Sequence, residues 1–279
     1  MTRRELLALT GQCGATGLVA RLAPRAAVFA QQPAIDPWGK GDLIRRSVRP
    51  PDYETPVALL DPFITPIQHF FVRSHLPVPP VVDASAWRLE VNGDVASPLS
   101  LSVDEIRRMP ATTIIMTLEC AGNGRALFDP PVAGIQWRKG AVGTARWTGV
   151  RMGDLLKRAV VKAGGRFVLM NGGDTPLGTM PDFIRQVAID KALDPDTIVA
   201  YEMNGRPIPP VHGFPLRAII PGWEGAYSVK WLNALSVSAV ESTSFWVATA
   251  YRYPIRRVAP GAAWTRRTWH PSQAWSSSL

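Results

Sequence analysis

The sequence predicts an α+β fold in which mixed β-sheets are combined with short helices. Of its 279 residues, 46% are hydrophobic and 19% are charged, proportions that are typical of a folded chain. Proline (26 residues) and glycine (23 residues) are frequent, and both favour turns between short elements over long helices. Strand-like and helix-like segments follow one another without a regular βαβ rhythm, and no Gly-x-Gly-x-x-Gly follows a strand. This pattern argues against a doubly wound dinucleotide-binding fold.

Residues 1–30 are typical of a twin-arginine export signal. Arg3 and Arg4 precede a modest apolar run over residues 6–20, and residues 28–30 (VFA) offer a small-residue cleavage site. The run is shorter than the ~20 apolar residues that span a bilayer, so we do not interpret it as an anchor. The prediction is a protein exported folded to the periplasm. The alternative is a short amphipathic helix of the mature protein.

The net charge of +9 is concentrated outside the predicted domain. Residues 1–30 hold four arginines and one glutamate, and residues 252–279 hold five arginines and no acid. These segments contribute +3 and +5, which leaves +1 for residues 31–251. A nucleic-acid-binding protein carries its basic surface on the folded domain, so we expect no nucleic-acid partner.

Strands are predicted where β-branched or alternating apolar residues cluster, at residues 87–91, 112–118, 166–170, 197–201, 216–220 and 227–237. A capping box of Ser102 and Glu105 opens a short helix before Pro110. Apolar residues at helical spacing predict a second helix over residues 152–163, ending at Gly164. Asn-Gly pairs predict tight turns at residues 92–93 and 204–205.

Four segments organise the chain. The export signal is followed by residues 31–54, rich in proline and charge, which we expect to wrap the surface. Residues 55–260 form the predicted domain. Residues 261–279 show no periodicity and end in serines, so we predict an irregular tail.

Cys120 is the first candidate for chemistry. It follows the apolar strand predicted at residues 112–118, which we expect to be buried, and it begins a glycine-containing loop. Cys13 lies in the signal, so the mature protein has no internal disulfide, and without a Cys-x-x-Cys-His motif we expect no haem on this chain. A thiolate is a soft ligand for a redox metal, and nearby Arg125 would favour it. The alternative is a small buried hydrophobic residue.

The segment at residues 117–125 (TLECAGNGR) resembles the cysteine loop of the sulfite oxidase family of molybdenum enzymes. Further segments resemble that family in the same order, over roughly residues 55–260: residues 70–79 (FFVRSHLPVP), 200–205 (AYEMNG), 212–217 (HGFPLR), 221–223 (PGW) and 228–232 (SVKWL). Each string alone is weak, but their common order makes the resemblance specific.

The resemblance implies that Cys120 ligates molybdenum while a pterin dithiolene and oxo groups fill the other positions. It implies a molybdenum–molybdopterin cofactor held by Phe71, Val72, Arg73, Ser74, His75, Asp174, His212, Arg217, Ser228, Val229 and Lys230. Arginine and lysine suit the phosphate, and carboxylate and imidazole groups suit the pterin nitrogens. Two alternatives stay open: His212 as a hydrogen-bonded loop histidine and Asp174 as a turn residue.

The resemblance also implies three catalytic residues. Arg73 and Arg125 would line the substrate pocket, since guanidinium groups offer forked donors to a small oxyanion. Tyr251 would lie beside the metal, with Tyr253 as the second choice. Trp137 resembles the family's pocket tryptophan, and a core aromatic residue is the alternative.

The implied activity is oxidation of sulfite to sulfate by oxygen-atom transfer, with electrons passing to a separate c-type cytochrome. A sulfane dehydrogenase-like activity on carrier-bound sulfur is the first alternative. A reductase of substrates such as methionine sulfoxide is less favoured, because the pair Arg73 and Arg125 suits a free anion. A truncated scaffold without cofactor is the alternative from a different class.

The family typically continues into an immunoglobulin-like dimerisation domain, which we expect this chain to lack. We hypothesise that residues from about 262 onward come from a frameshift or a truncated gene, because the composition changes abruptly there. The expected consequences are a missing pocket arginine, an uncertain dimer and apolar surface left exposed.

Overall fold

Two five-stranded β-sheets dominate the computed structural model, which describes residues 36–254 and 269–271. Mixed sheets with few, short helices confirm the predicted α+β class. The predicted export signal at residues 1–30 lies outside the described residues. No helix among the described residues is long and apolar enough to cross a membrane.

The strands, in chain order, are β1 Ile44–Ser47, β2 Asp52–Glu54, β3 Arg88–Gly93, β4 Leu99–Ser102, β5 Thr112–Glu119, β6 Val142–Arg151, β7 Phe167–Gly172, β8 Arg185–Ala188, β9 Ile198–Met203, β10 Arg206–Pro207, β11 Arg217–Ile219, β12 Leu232–Ser238, β13 Arg252–Pro254 and β14 Trp269–Pro271. The α-helices are α1 Val103–Arg107, α2 Met152–Ala159, α3 Ile189–Leu193 and α4 Phe245–Ala248. Short 3₁₀ helices span Val57–Leu59, Ile67–His69, Arg125–Leu127, Pro210–His212 and Gly225–Tyr227.

Sheet 1 has the antiparallel order β10-β9-β6-β5, and β11 also pairs with β9. Sheet 2 has the order β4-β3-β12-β7-β8, in which β3 and β12 run parallel and the other pairs antiparallel. Both sheets and α2 contribute to the largest apolar cluster, to which Val199 and Leu216 come from the side of sheet 1 and Val91 and Leu235 from sheet 2. This shared core fixes the loops at the strand ends, where the candidate site lies.

The capping box predicted at α1 is confirmed. The Glu105 amide donates to the Ser102 hydroxyl at 3.2 Å, and the Ser102 amide donates to the Glu105 carboxylate at 2.8 Å. The Asn204-Gly205 turn is also confirmed between β9 and β10, with φ of 53° and 75° at the two residues. The other predicted turn is wrong, because Gly93 instead pairs with Val237 inside sheet 2.

Two predicted elements differ clearly in their bounds. The second helix ends at Ala159, because Val160 adopts a left-handed φ of 56° and Val161 then bridges to Val95. The strand predicted at residues 227–237 begins only at Leu232, since the preceding residues turn toward the candidate site.

The strand predicted to be buried at residues 112–118 is half-buried. It is the edge strand of sheet 1, and the side chain of Ile115 is 50% exposed. In the predicted irregular tail, residues 269–271 form β14, which pairs with β13, so that prediction is wrong at these three positions.

Candidate active site

A single cavity gathers most of the residues singled out in the sequence. It is lined by Phe70, Phe71, Arg73, His75, Cys120, Asp174, Phe183, His212, Arg217, Gly225, Ala226, Ser228, Val229, Lys230, Trp231 and Tyr251. Strand ends deliver several of these: Cys120 follows β5, Arg217 begins β11 and Lys230 precedes β12. Residues far apart in the chain therefore meet at one site, as the predicted cofactor-binding set requires.

Cys120 begins the loop after β5. Its amide donates to the carbonyl of Ala141 at 2.9 Å, and its own carbonyl accepts from the Asn123 amide at 2.8 Å. Burial raises the pKa of the Cys120 thiol, against the lowering effects of the Gly122 amide and the positive charge of Arg73. A bound metal cation would offset this burial and favour the thiolate.

The described residues contain no cluster of three or more His, Cys, Asp or Glu that could hold a metal ion. Among the described residues, Cys120 would therefore be the one side chain that ligates a metal at this position. Its remaining ligands would have to come from a bound organic group or solvent.

Arg217 and Lys230 form what we call the cationic end of the cavity. Arg217 donates to the carbonyls of Ser228 at 3.1 Å and His212 at 3.0 Å. Lys230 Nζ donates to Ser74 Oγ at 2.7 Å and to the Val211 carbonyl at 3.1 Å. Among the described residues, no carboxylate lies within ion-pair distance of either cation.

Burial penalises both charges at the cationic end. It lowers the pKa of Arg217 to about 9, and it lowers the pKa of Lys230 well below its usual value. A buried positive charge is stabilised by an anion that takes several charge-assisted hydrogen bonds. This end of the cavity is therefore suited to a phosphate.

His212 is completely enclosed beside the cationic end. Lys40 Nζ lies 2.8 Å from its Nε2 and also donates to the Phe70 carbonyl at 3.0 Å. Burial, with the charges of Lys40 and Arg217, lowers the pKa of His212 well below its usual value. The imidazole is thus neutral at neutral pH and accepts a hydrogen bond from the lysine.

Asp174 follows β7 on the cavity wall and is only 7% exposed. Burial raises its pKa to about 6, against the lowering effect of Lys230. A Cβ at Gly172 would lie 2.7 Å from Asp174 Oδ1, so glycine there leaves room for this carboxyl group. Asp174 thus lies in irregular backbone just after β7 and lines the cavity.

A second part of the cavity wall, which we call the metal end, holds Cys120, Arg73 and Tyr251, whose charges influence one another. Arg73 Nη1 lies 3.2 Å from Asp52 Oδ1, and the same oxygen accepts the Ser74 amide at 3.0 Å. Asp52 is fully buried, and burial raises its pKa in spite of Arg73. The guanidinium is thus fixed by a carboxylate behind it.

The Tyr251 hydroxyl contacts His75 Nε2 at the metal end. The His75 ring stacks on Phe183, with centroids 3.9 Å apart and an angle of 14° between the planes. Burial raises the pKa of Tyr251 well above its usual value and, with Arg73, lowers that of His75 well below. The pair is therefore a neutral phenol and a neutral imidazole. The side chain of Tyr253 lies outside the described residues.

Four predicted residues do not line this cavity. Arg125 donates to the Ile135 carbonyl at 3.1 Å, and its Nη1 fills the space beside Gly122 and Gly134, 2.7 and 2.5 Å from where their Cβ atoms would lie. It braces the cysteine loop from outside the cavity wall. Val72 lies in a small apolar cluster, and Ser74 accepts a hydrogen bond from Lys230. Trp137 is enclosed in a core cluster beside sheet 1.

The sequence-based set lacks several residues at or behind the cavity: Lys40, Asp52, Phe183, Arg185 and Glu224, and the lining residues Phe70, Gly225, Ala226 and Trp231. Lys40 and His212 are 172 positions apart, and Asp52 and Arg73 are 21 apart. Local patterns carry no sign of such pairings. Arg185 begins β8 and is followed by the polar Gln186, so its strand gives no clear local signal either.

A profile of the family described as "Oxidoreductase molybdopterin binding domain" matches residues 75–246. The rat mitochondrial sulfite oxidase (Rattus norvegicus) is 40% identical over 226 residues, which cover 78% of this chain and 41% of that protein. The chicken sulfite oxidase (Gallus gallus) is 42% identical over 237 residues, which cover 81% of this chain and 51% of that protein. The chain thus spans about half or less of these relatives.

Among solved structures, the sulfane dehydrogenase SoxCD from Paracoccus pantotrophus is similar with a TM-score of 0.68 and 27% sequence identity. The match covers 86% of this chain and 63% of that chain. The family profile, the sequence relatives and the fold agree with the geometry of the cavity. The chain belongs to the sulfite oxidase family of molybdopterin-binding oxidoreductases.

Proposed function

We propose that this chain uses a molybdopterin cofactor to oxidise sulfite to sulfate and passes the electrons to a separate c-type cytochrome. The observation that carries the proposal is that one cavity joins the thiol of Cys120 to two buried cations without carboxylate partners among the described residues, Arg217 and Lys230. A metal-binding thiol and a phosphate-binding end are the two requirements of such a cofactor.

The residues present fit the cofactor. Arg217 and Lys230 would hold its phosphate, because their charges are buried and hydrogen-bonded only to neutral oxygens. Asp174 and the neutral His212 would contact the polar edge of the pterin. With a pKa of about 6, Asp174 can either donate or accept a hydrogen bond there. Cys120 would ligate the metal.

When bound, the cofactor supplies the oxygen-atom transfer and takes up the electrons. In the overall reaction, sulfite and water give sulfate, two protons and two electrons. Arg73 faces the cavity with a guanidinium that Asp52 fixes from behind, so it can bind a small oxyanion without first losing its position. The protein's part in the chemistry is to orient this anion beside Cys120.

Tyr251 and His75 would act as a hydrogen-bonded pair at the metal end. The phenol keeps its proton because burial raises its pKa, and the neutral imidazole of His75 can accept a hydrogen bond from it. Such a neutral pair can hold a water molecule in place by hydrogen bonds without adding charge to the site. This role of Tyr251 is part of the proposal.

A second candidate is oxidation of sulfur bound to a carrier, as the name of the sulfane dehydrogenase relative indicates for that protein. It is favoured by the match over 86% of this chain. The two candidates differ in substrate, since one acts on a free anion and the other on a sulfur group attached to a second protein.

The test is sulfite-dependent reduction of cytochrome c by protein purified from a host that makes the cofactor. We expect saturable reduction with free sulfite and none when sulfite is omitted. Activity only with carrier-bound sulfur would replace sulfite oxidation by the second candidate. No activity with either substrate in cofactor-loaded protein would contradict both.

We also propose export to the periplasm by the twin-arginine route and no haem on this chain, on the basis of residues 1–30 and the absence of a Cys-x-x-Cys-His motif. Cell fractionation of the wild type and of a variant with Arg3 and Arg4 replaced by lysine tests the route. Periplasmic protein in both would contradict it. A haem absorption band in the purified protein would contradict the second statement.

A further inference from the structure

Arg185 lies behind the metal end of the cavity and does not line it. It begins β8 and is only 1% exposed. Its Nη1 donates to the carbonyl of Trp246, and its Nη2 lies 3.6 Å from Glu224 Oε1. A buried guanidinium with these partners ties β8 to α4 and to the segment before the Gly225–Tyr227 helix.

The guanidinium of Arg185 also contacts two tyrosine rings. Its Cζ lies 4.0 Å from the ring centroid of Tyr227 and 4.7 Å from that of Tyr251. Both distances lie within the roughly 6 Å over which a cation is attracted to an aromatic ring, and burial strengthens this attraction. Tyr251 therefore has a cation at its ring and His75 at its hydroxyl.

The backbone of Tyr251 is itself in an unfavourable conformation. Its φ of 55° is left-handed, which residues other than glycine rarely adopt. Such a conformation persists only where surrounding contacts hold it. Arg185 supplies two of them, one to the ring and one to the carbonyl of Trp246, five residues earlier in the chain.

We propose that Arg185 is a positioning residue for Tyr251: it holds the phenol at the cavity wall through the ring contact and through the backbone of α4. It does not touch the substrate, since it stands behind Tyr251. The position of Tyr251 depends on the protein alone and not on a bound cofactor. Its effect on turnover rests on the proposed function, in which Tyr251 acts at the metal end.

The test is ¹⁹F NMR of the full chain labelled with 3-fluorotyrosine, which has five tyrosines. Tyr251→Phe assigns the Tyr251 signal and Tyr227→Phe assigns that of Tyr227. We expect Arg185→Met to shift the Tyr251 signal and to split or broaden it, because the ring loses its anchor. Arg107→Met is the matched control, since the Arg107 Cζ lies 4.9 Å from the ring centroid of Tyr201. It should move the Tyr201 signal and leave that of Tyr251 unchanged.

An unchanged Tyr251 signal in Arg185→Met, with only the Tyr227 signal moved, would overturn the proposal. If Arg185→Met is insoluble, Arg185→Lys serves in its place, because lysine keeps the charge but not the planar fork. The proposal then requires a smaller shift of the same Tyr251 signal. An unmoved signal in soluble Arg185→Lys would equally overturn it.

Turnover provides a second readout in cofactor-loaded protein. We expect Arg185→Met to lower kcat by on the order of 10- to 100-fold with KM little changed, as for a misplaced catalytic group. In a Tyr251→Phe background the same substitution should have little further effect. Equal losses in both backgrounds would show a general structural role and contradict positioning. A wild type without sulfite activity would count against the proposed function, while the NMR result would still decide the position of Tyr251.

Discussion

The buried cations at the two ends of the cavity have different partners. At the cationic end, Arg217 and Lys230 are hydrogen-bonded to neutral oxygens and have no carboxylate within ion-pair distance among the described residues. At the metal end, Arg73 has Asp52 behind it, and Arg185 has Glu224. The first end therefore attracts an anion, and the second holds its guanidinium groups in fixed positions.

This difference in partners should lower the stability of the cofactor-free protein at the cationic end only. Buried charges without a partner destabilise a folded protein, whereas breaking a buried pair leaves a new unpaired charge. The cationic end thus lowers the stability of the cofactor-free protein and raises its affinity for a phosphate, as functional sites often do. Substitutions at the two ends should therefore change the stability of the cofactor-free protein in opposite directions.

The largest effect is expected from Cys120→Ser. A serine hydroxyl does not supply a soft thiolate, so sulfite-dependent cytochrome reduction should fall to background while circular dichroism shows a folded protein. Cys13→Ser, in the predicted signal, is the control and should keep full activity. Substantial turnover by Cys120→Ser would show that the thiol is not required.

Arg73→Met should destabilise the cofactor-free protein by up to about 3 kcal/mol, because it leaves Asp52 buried without its cation. The estimate is reduced for the partial exposure of the Arg73 side chain, which is 23%. Urea denaturation measures the free energy of unfolding. A variant as stable as the wild type would mean that Asp52 is satisfied by its other partners alone.

Lys230→Met should have the opposite effect on stability. The charges of Asp174 and Asp52 support Lys230 only from beyond ion-pair distance, and burial still dominates. Removing this cation should therefore raise the melting temperature of the cofactor-free protein, while the affinity for the cofactor falls. A lost charge-assisted hydrogen bond costs about 1.5–3 kcal/mol, or roughly 10- to 100-fold in affinity. Thermal denaturation and bound pterin, measured after unfolding, give the two values. A fall in both stability and affinity would break the contrast between the ends.

The smallest effect is expected from Asp174→Asn, and it depends on pH. The raised pKa of about 6 means that the folded protein binds this proton more tightly than the unfolded chain does. The stability that this group contributes is therefore full below about pH 4 and is lost as the pH rises through about 6.

In the cofactor-free protein, Asp174→Asn should match or exceed the wild type by on the order of 1 kcal/mol at pH 7 to 8. The difference should shrink toward pH 4. Urea denaturation at several pH values measures it. A variant that is less stable at pH 8 than at pH 5, relative to the wild type, would contradict the raised pKa.

Local patterns predicted the fold class and the elements with strong end signals. The capping box at α1 and the Asn204-Gly205 turn were correct because each signal is contained in a few adjacent residues. The longest strand, β6, was not predicted. Its inward positions include Gly143 and Gly149, which pack against Phe70 and the Val199 carbonyl, so the usual apolar alternation is faint.

Site residues that belong to a sequence motif were predicted. Residues that are recognised only by their tertiary contacts were missed. Cys120, Lys230 and Tyr251 come from the resemblance, and the structure brings all three to one cavity. Arg125 belongs to the same motif as Cys120 and its charge acts to lower the pKa of that thiol, yet it braces the loop and does not line the cavity. Asp52 and Arg185 become visible only through partners on other elements, which no local pattern contains.

We propose that this cavity binds a molybdopterin cofactor through Cys120 and the cationic end. The most direct measurement is molybdenum per chain, by mass spectrometry, on protein purified from a host that makes the cofactor. We expect molybdenum equimolar with the chain in the wild type and a marked loss in Lys230→Met. Well-folded wild-type protein without molybdenum would contradict it and leave a scaffold of this family without its chemistry.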